Sequence, residues 1–267
     1  MQLLNAIGRR IARFLSAPRD GAPRIATTSR EKLSATLRPG DVLLVEGTSL
    51  FAGAIKFLTQ STWSHSALYI GNALGSPPEG EEALVFVEAD INAGVRAVPL
   101  SSFWNQHYRI CRPVGLSPAE VDRVVGYAVE RIGHQYDLKN IFDLLRYVLP
   151  APPVPRRWRR QLLSLGSGDP TRAICSTLIA QAFQCIDYPI LPEVYVEGEL
   201  DAAARADHRE WLHIRHYSLY APRDFDVSPY FEVVKPALAQ GFNFHALDWA
   251  DTQLLTVLKL KGPHLPA

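Results

Sequence analysis

The chain carries 267 residues, 47% of them hydrophobic, and its 28 basic and 27 acidic side chains leave a formal net charge of +1. That length suits one sizeable core, read as one domain with insertions, and so even a charge balance supplies no overall field to draw the protein to nucleic acid or anionic lipid. Three cysteines, Cys111, Cys175 and Cys185, form no CxxC pair, which argues against a disulfide scaffold or a structural zinc site and for a reducing compartment.

From the N-terminus, Leu3, Leu4, Ile7, Ile11, Phe14 and Leu15 recur at helical spacing with Arg9, Arg10 and Arg13 between them, a short basic amphipathic helix. It suits either packing on the domain or lying on a membrane surface. The arginines interrupt any secretory apolar run, and no segment reaches the roughly 18 uninterrupted apolar residues of a spanning helix. A soluble, cytoplasmic protein is expected, with peripheral membrane contact as the alternative. Residues 1–30 read as this helix and a linker, rich in Pro and Gly from Ala17 to Thr28.

The main domain, expected over residues 36–235, opens at the turn Arg38-Pro39-Gly40-Asp41 and the strand Val42 to Val45. A helix from Ser49 to Thr59 follows, then strands Ser64 to Ile70, Leu84 to Ala89, Gly94 to Val98 and Arg109 to Arg112, close enough in sequence to imply a mostly antiparallel sheet. Ser117-Pro118-Ala119-Glu120 supplies an N-cap, a proline at the first helical position and an acidic first turn for a helix to Ile132. A second helix is expected over Leu138 to Val148. An exposed insertion follows over residues 150–169, carrying Arg156-Arg157-Trp158-Arg159-Arg160, and the next helix begins at or just before Cys175 and ends near Ile186. The tail holds a strand from Tyr230 to Val234 and, within a C-terminal extension over 236–267, a helix from Ala246 to Leu258. Strands grouped ahead of helices make the fold α+β.

Three residues carry the chemistry. A helix starting near Cys175 would set its sulfur among unpaired N–H groups at the positive end of the dipole, which favours thiolate and supplies donors for an oxyanion. The alternative is a small buried hydrophobe. A hairpin of Ser64 to Ile70 with Leu84 to Ala89, Ile70 level with Leu84, brings His65 within one residue of Glu88, whose carboxylate would orient the imidazole. Asp90 and Asn92 are near enough to do the same. His208, His213 and His216, spaced by five and three, miss the i, i+4 pattern of a helical zinc motif, so no metal or other cofactor is expected.

The order Arg38-Pro39-Gly40-Asp41-Val42, Trp63-Ser64-His65-Ser66-Ala67-Leu68-Tyr69-Ile70-Gly71, Val87-Glu88-Ala89, Gly133-His134-Gln135-Tyr136-Asp137 and Ile174-Cys175-Ser176-Thr177-Leu178 resembles the YiiX/YebB-like group. These are circularly permuted papain-fold cysteine hydrolases, related to NlpC peptidases and lecithin:retinol acyltransferases, in which the histidine strand precedes the cysteine helix. The resemblance implies an antiparallel sheet packed against helices, one of which carries the nucleophile. By position it implies Cys175 as nucleophile, His65 as base and Glu88 as the residue orienting it, with Tyr136 and Ser176 at the substrate pocket or oxyanion. The insertion before the cysteine helix is longer than the pattern leads one to expect.

The expected function is a cysteine hydrolase cleaving an acyl amide or ester through an acyl-enzyme, on a small-molecule, lipid or peptide substrate and without nucleic acid. The lipid class follows from the acyltransferase relatives, and the basic helix and Arg/Trp cluster would suit a membrane surface. The alternatives are a peptidoglycan-peptide amidase or endopeptidase and a catalytically inactive binding module.

Overall fold

A computed structural model describes residues 28–90, 93–104, 106–135, 174–197, 209–213 and 215–239, with residues 17, 241, 243 and 245 besides. The helices read over 3–15, 138–148 and 246–258, the insertion 150–169, Tyr136 and His208 lie outside the described residues.

Six antiparallel strands make the central sheet: β1 (Val42–Val45), β2 (His65–Tyr69), β3 (Leu84–Asp90), β4 (Gly94–Pro99), β5 (Tyr108–Pro113) and β8 (Phe231–Val234). Their spatial order is β4-β3-β2-β1-β5-β8, and β6 (Glu193–Glu197) pairs with β7 (Arg209–His213) in a separate two-stranded sheet. The α+β reading, an antiparallel sheet packed against helices, is thus the architecture. Every residue of β1 is buried, which explains its unbroken Val-Leu-Leu-Val run: alternate side chains enter two different cores.

On one face Val42, Leu44, Leu68, Ile70 and Val87 meet two helices, α3 (Pro118–Val129) and α4 (Ile174–Gln184), through Val124, Ala128, Leu178, Ile179 and Phe183. On the other, Leu43, Val45, Ala67, Phe86 and Ile110 meet Leu33, Leu37 and Phe103. Leu33 comes from α1 (Arg30–Thr36), most of which sequence reading left unassigned between the linker ending at 30 and the domain opening at 36; Ser29 caps it, and its helical period is too short to register. The folded unit therefore takes in residues before the expected boundary at 36.

Local chemistry fixes the other helices. Ser49 caps α2 (Leu50–Thr59) by accepting from the Ala52 N–H at 3.0 Å, and Ser117 and Glu120 form the reciprocal capping box of α3. In α5 (Pro222–Val227) the Asp224 carboxylate accepts from the Ala221 N–H at 2.9 Å. From this helix Asp226 accepts from the Trp63 indole N–H at 2.9 Å and pairs with Arg109, tying down the residues just ahead of β2. A last short helix, α6 (Pro236–Ala239), lies against α1.

One glycine is decisive for β4. Gly94 has φ +74°, and a Cβ there would sit 2.4 Å from the His134 carbonyl oxygen. The same carbonyl accepts from the Val95 N–H at 2.9 Å, and the Gly133 N–H donates to the Val95 carbonyl at 2.8 Å, so the end of the α3 segment is latched onto the β3–β4 turn. Gly94→Ala is expected to cost about 2 kcal/mol or more, through both backbone strain and the lost latch, read as a lower urea midpoint at unchanged m value.

Candidate active site

His65 opens β2, Glu88 lies within β3 and Cys175 is the second residue of α4. The β2–β3 register pairs Ala67 with Glu88, Leu68 with Val87 and Tyr69 with Phe86. Extended by two residues, it sets His65 level with Asp90, so that Glu88 is its diagonal neighbour on the same face. The expected register, with Ile70 level with Leu84, is corrected by one residue: the Ile70 N–H donates to the Val85 carbonyl at 2.8 Å. That slip matters, because the expected pairing would have turned the carboxylate to the face opposite the imidazole.

The buried Glu88 carboxylate has both oxygens engaged. Oε2 lies 2.6 Å from His65 Nε2, and Oε1 accepts from Arg96 Nε at 2.9 Å and Nη2 at 2.7 Å. Arg96 stands directly opposite Glu88 on β4. Burial alone would raise the carboxyl's pKa, but the charges and hydrogen bonds of His65 and Arg96 reverse this and lower it to about 2. Asp90 serves the β3–β4 turn instead, accepting from the Ala93 N–H at 2.8 Å, with Arg96 Nη2 at 3.8 Å from its other oxygen. Asn92 lies outside the described residues.

The imidazole and the thiol perturb each other in complementary directions. Burial favours neutral His65, yet the negative charges of Glu88 and Cys175 and hydrogen bonds to both hold it well above the ordinary histidine value. Burial likewise disfavours the Cys175 thiolate, but the charge and hydrogen bonding of His65, with Ser66 beside the sulfur, draw the thiol below its usual pKa. The two shifts run toward an imidazolium–thiolate pair. Cys111 behaves otherwise: it is fully buried, and that burial pushes its thiol far up. Cys185, half-buried, is also raised by burial.

Cys175 clusters with Ile55 of α2, and Phe51 and Leu58 of the same helix pack against that pair, an apolar wall on this side of the residue. At the far end of α2 Phe57 is 75% exposed. The Ser176 hydroxyl, expected at the pocket or oxyanion, donates to the Tyr220 carbonyl at 2.7 Å and anchors α4. Tyr136 cannot be placed, since it lies outside the described residues. Of the three clustered histidines, His216 is exposed and stacks beside Tyr217 with ring centroids 4.0 Å apart, and the His213 backbone belongs to β7. Among the described residues no group of three or more His, Cys, Asp or Glu side chains could hold a metal ion, and no helix is long and apolar enough to cross a membrane.

Sequence reading missed Arg96. Its signal was present: once Asp90 and Gly94 are taken as the pair that closes the hairpin, counting back along both strands sets Arg96 against Glu88, and an acid and a base facing across a hairpin are a pair. Asp226 gave no such signal, since its partners Trp63 and Arg109 are remote in sequence.

Residues 36–145 match the family of permuted papain-like amidase enzymes, YaeF/YiiX, C92 family. The match includes His65, Glu88 and Arg96 and ends before Cys175. Among solved structures, one titled as the crystal structure of metalloprotein yiiX from Escherichia coli O157:H7 aligns at 17% identity and a TM-score of 0.43, over 74% of this chain and 96% of that one. No curated protein matches the chain.

The Glu88 shift carries a pH signature. Its carboxyl titrates near 2 when folded against 4.5 ordinarily, so folding favours the ionised form. That stabilisation is complete above about pH 4.5 and is lost as the pH falls toward 2, about 3 kcal/mol in all. Urea unfolding of the wild type is expected to weaken over this window by that much more than unfolding of Glu88→Gln. Parallel stability curves would mean that the carboxyl is not held as described.

Proposed function

We propose that this chain, whose residues 36–145 fall within the permuted papain-like amidase family, is a cysteine amidase or esterase that removes an apolar acyl group through a Cys175–His65–Glu88 triad. The observation that carries the reading is a buried carboxylate bound on one oxygen by the His65 imidazole and on the other by Arg96, with the Cys175 thiol against that imidazole at the start of a helix. With Nε2 engaged by Glu88, Nδ1 is the nitrogen left to exchange a proton with Cys175.

In this mechanism the thiol proton passes to His65 Nδ1 and the thiolate adds to the substrate carbonyl carbon. Backbone N–H groups at the start of α4, those of Cys175 and Ser176 among them, hold the oxyanion. As the tetrahedral intermediate collapses, the carbon–nitrogen or carbon–oxygen bond breaks and His65 returns its proton to the departing amine or alcohol. A thioester on Cys175 remains. Water, giving its proton to His65, then releases the acid and restores the thiol. Glu88 keeps Nε2 protonated throughout, so Nδ1 is the nitrogen that cycles. Arg96 keeps Glu88 ionised and in place.

The apolar wall of Phe51, Ile55 and Leu58 beside Cys175 favours an alkyl or aromatic acyl group, as in a lipid or an acylated small molecule. A peptidoglycan peptide, polar and charged, has less to gain from that surface. Cys175→Ala is expected to lower turnover of acyl amides or esters by at least about a thousand-fold and to abolish covalent labelling at this position. Undiminished turnover in that variant would sink the assignment and leave the binding-module reading. For wild type, kcat/KM on a series of p-nitrophenyl esters should climb with acyl length. Phe51→Ala or Leu58→Ala should flatten the climb by about ten-fold at the long end; a slope indifferent to both would remove the apolar-substrate assignment.

A further inference from the structure

Ser66 is a buried hydroxyl that the mechanism above does not use. It shares one face of β2 with Leu68, the face covered by α4 through Leu178 and Ile179, and it pairs across to Leu44 of β1 in the same apolar layer. Its relative exposure is 0%, and among the described residues its Oγ has no partner at ordinary hydrogen-bond geometry. A serine so placed is costly compared with alanine unless its hydroxyl finds an acceptor in some working state of the protein. The group whose ionisation both its hydroxyl and its backbone favour is the Cys175 sulfur, at the N-terminal end of the helix packed on this face.

We infer that Ser66 is a catalytic hydrogen-bond donor whose Oγ–H engages the Cys175 sulfur when it ionises, an inference that rests on Cys175 being the nucleophile. A thiol is a weak acceptor and a thiolate a strong one, so the contact is loose in the protonated state and tightens as the proton leaves. The thiol proton goes to His65, and Ser66 keeps its own proton throughout. When sulfur becomes acylated its negative charge is gone and the hydroxyl loosens again. The thiolate thus has two kinds of support, the imidazolium on one side and a neutral donor from the adjacent residue of the same strand.

The test is the pH dependence of iodoacetamide alkylation, followed by peptide mass mapping so that adducts on Cys175 are separated from those on Cys111 and Cys185. Ser66→Ala is expected to move the midpoint for Cys175 upward by about one pH unit, slowing alkylation near neutrality about ten-fold. Well above both midpoints the variant should react as fast as the wild type or faster, since a more basic thiolate is the better nucleophile. Ser66→Thr and Ser66→Val, alike in shape, separate hydroxyl from packing: the threonine variant should keep the wild-type midpoint and the valine variant should follow alanine. Equal midpoints in all four proteins would overturn the role of Ser66 while leaving Cys175 as a reactive thiol. Absence of any Cys175 adduct in the wild type across the pH range would overturn the nucleophile assignment and this inference with it.

Discussion

A carboxylate nearly removed from water must have its charge answered, and Glu88 is answered twice, by the fork of Arg96 and by the His65 imidazole. The rest of the site inherits its order from that requirement. The three residues come from three adjacent strands, so the distances among them are set by strand spacing and register rather than by flexible loops. The Gly94 turn and its latch to the His134 carbonyl hold the outermost of these strands, and with it the arginine. Removing either partner would leave a buried carboxylate answered only once.

The second element of the site arrives from a different layer. Helix α4 lies across one face of the sheet through Leu178, Ile179 and Phe183, and this packing delivers Cys175 to the start of β2. Because β1 is buried on both sides, the sheet under the helix has little freedom to shift. Asp226 adds a tether from the C-terminal part of the chain, binding Trp63 immediately before the histidine strand. Imidazole, carboxylate and thiol therefore rest on a common rigid platform, although the chain visits them in separate passes.

Much of this was legible in the sequence because the relevant signals are short-range. Strands β1 to β5 alternate or run apolar between turn residues, and the Ser117 to Glu120 capping box announces its helix outright. His65, Glu88 and Cys175 stood out by residue type and order. What escaped reading depends on pairing between distant segments. Helix α1 is too brief for its period to show, and β6 and β7 were passed over although Val194-Tyr195-Val196 carries strand-type residues. The strand register was missed by one residue, an error that hydrophobic pattern alone does not correct when both faces of a strand are buried. Arg96 could have been found from the hairpin; Asp226 and the anchoring of Ser176 on Tyr220 could not, since nothing in the sequence brings those residues together.

The mutual adjustment of Cys175 and His65 has a consequence for the history of the chain itself. The imidazole belongs to a meander of neighbouring strands, whereas the sulfur reaches it only when a helix from far later in the sequence has docked. An unfolded or half-made chain consequently carries only an ordinary cysteine, with a free histidine elsewhere. The lowered pKa of this thiol is therefore a property of the docked fold and of no shorter stretch of the chain, and it serves as a gauge of whether α4 has seated on the sheet.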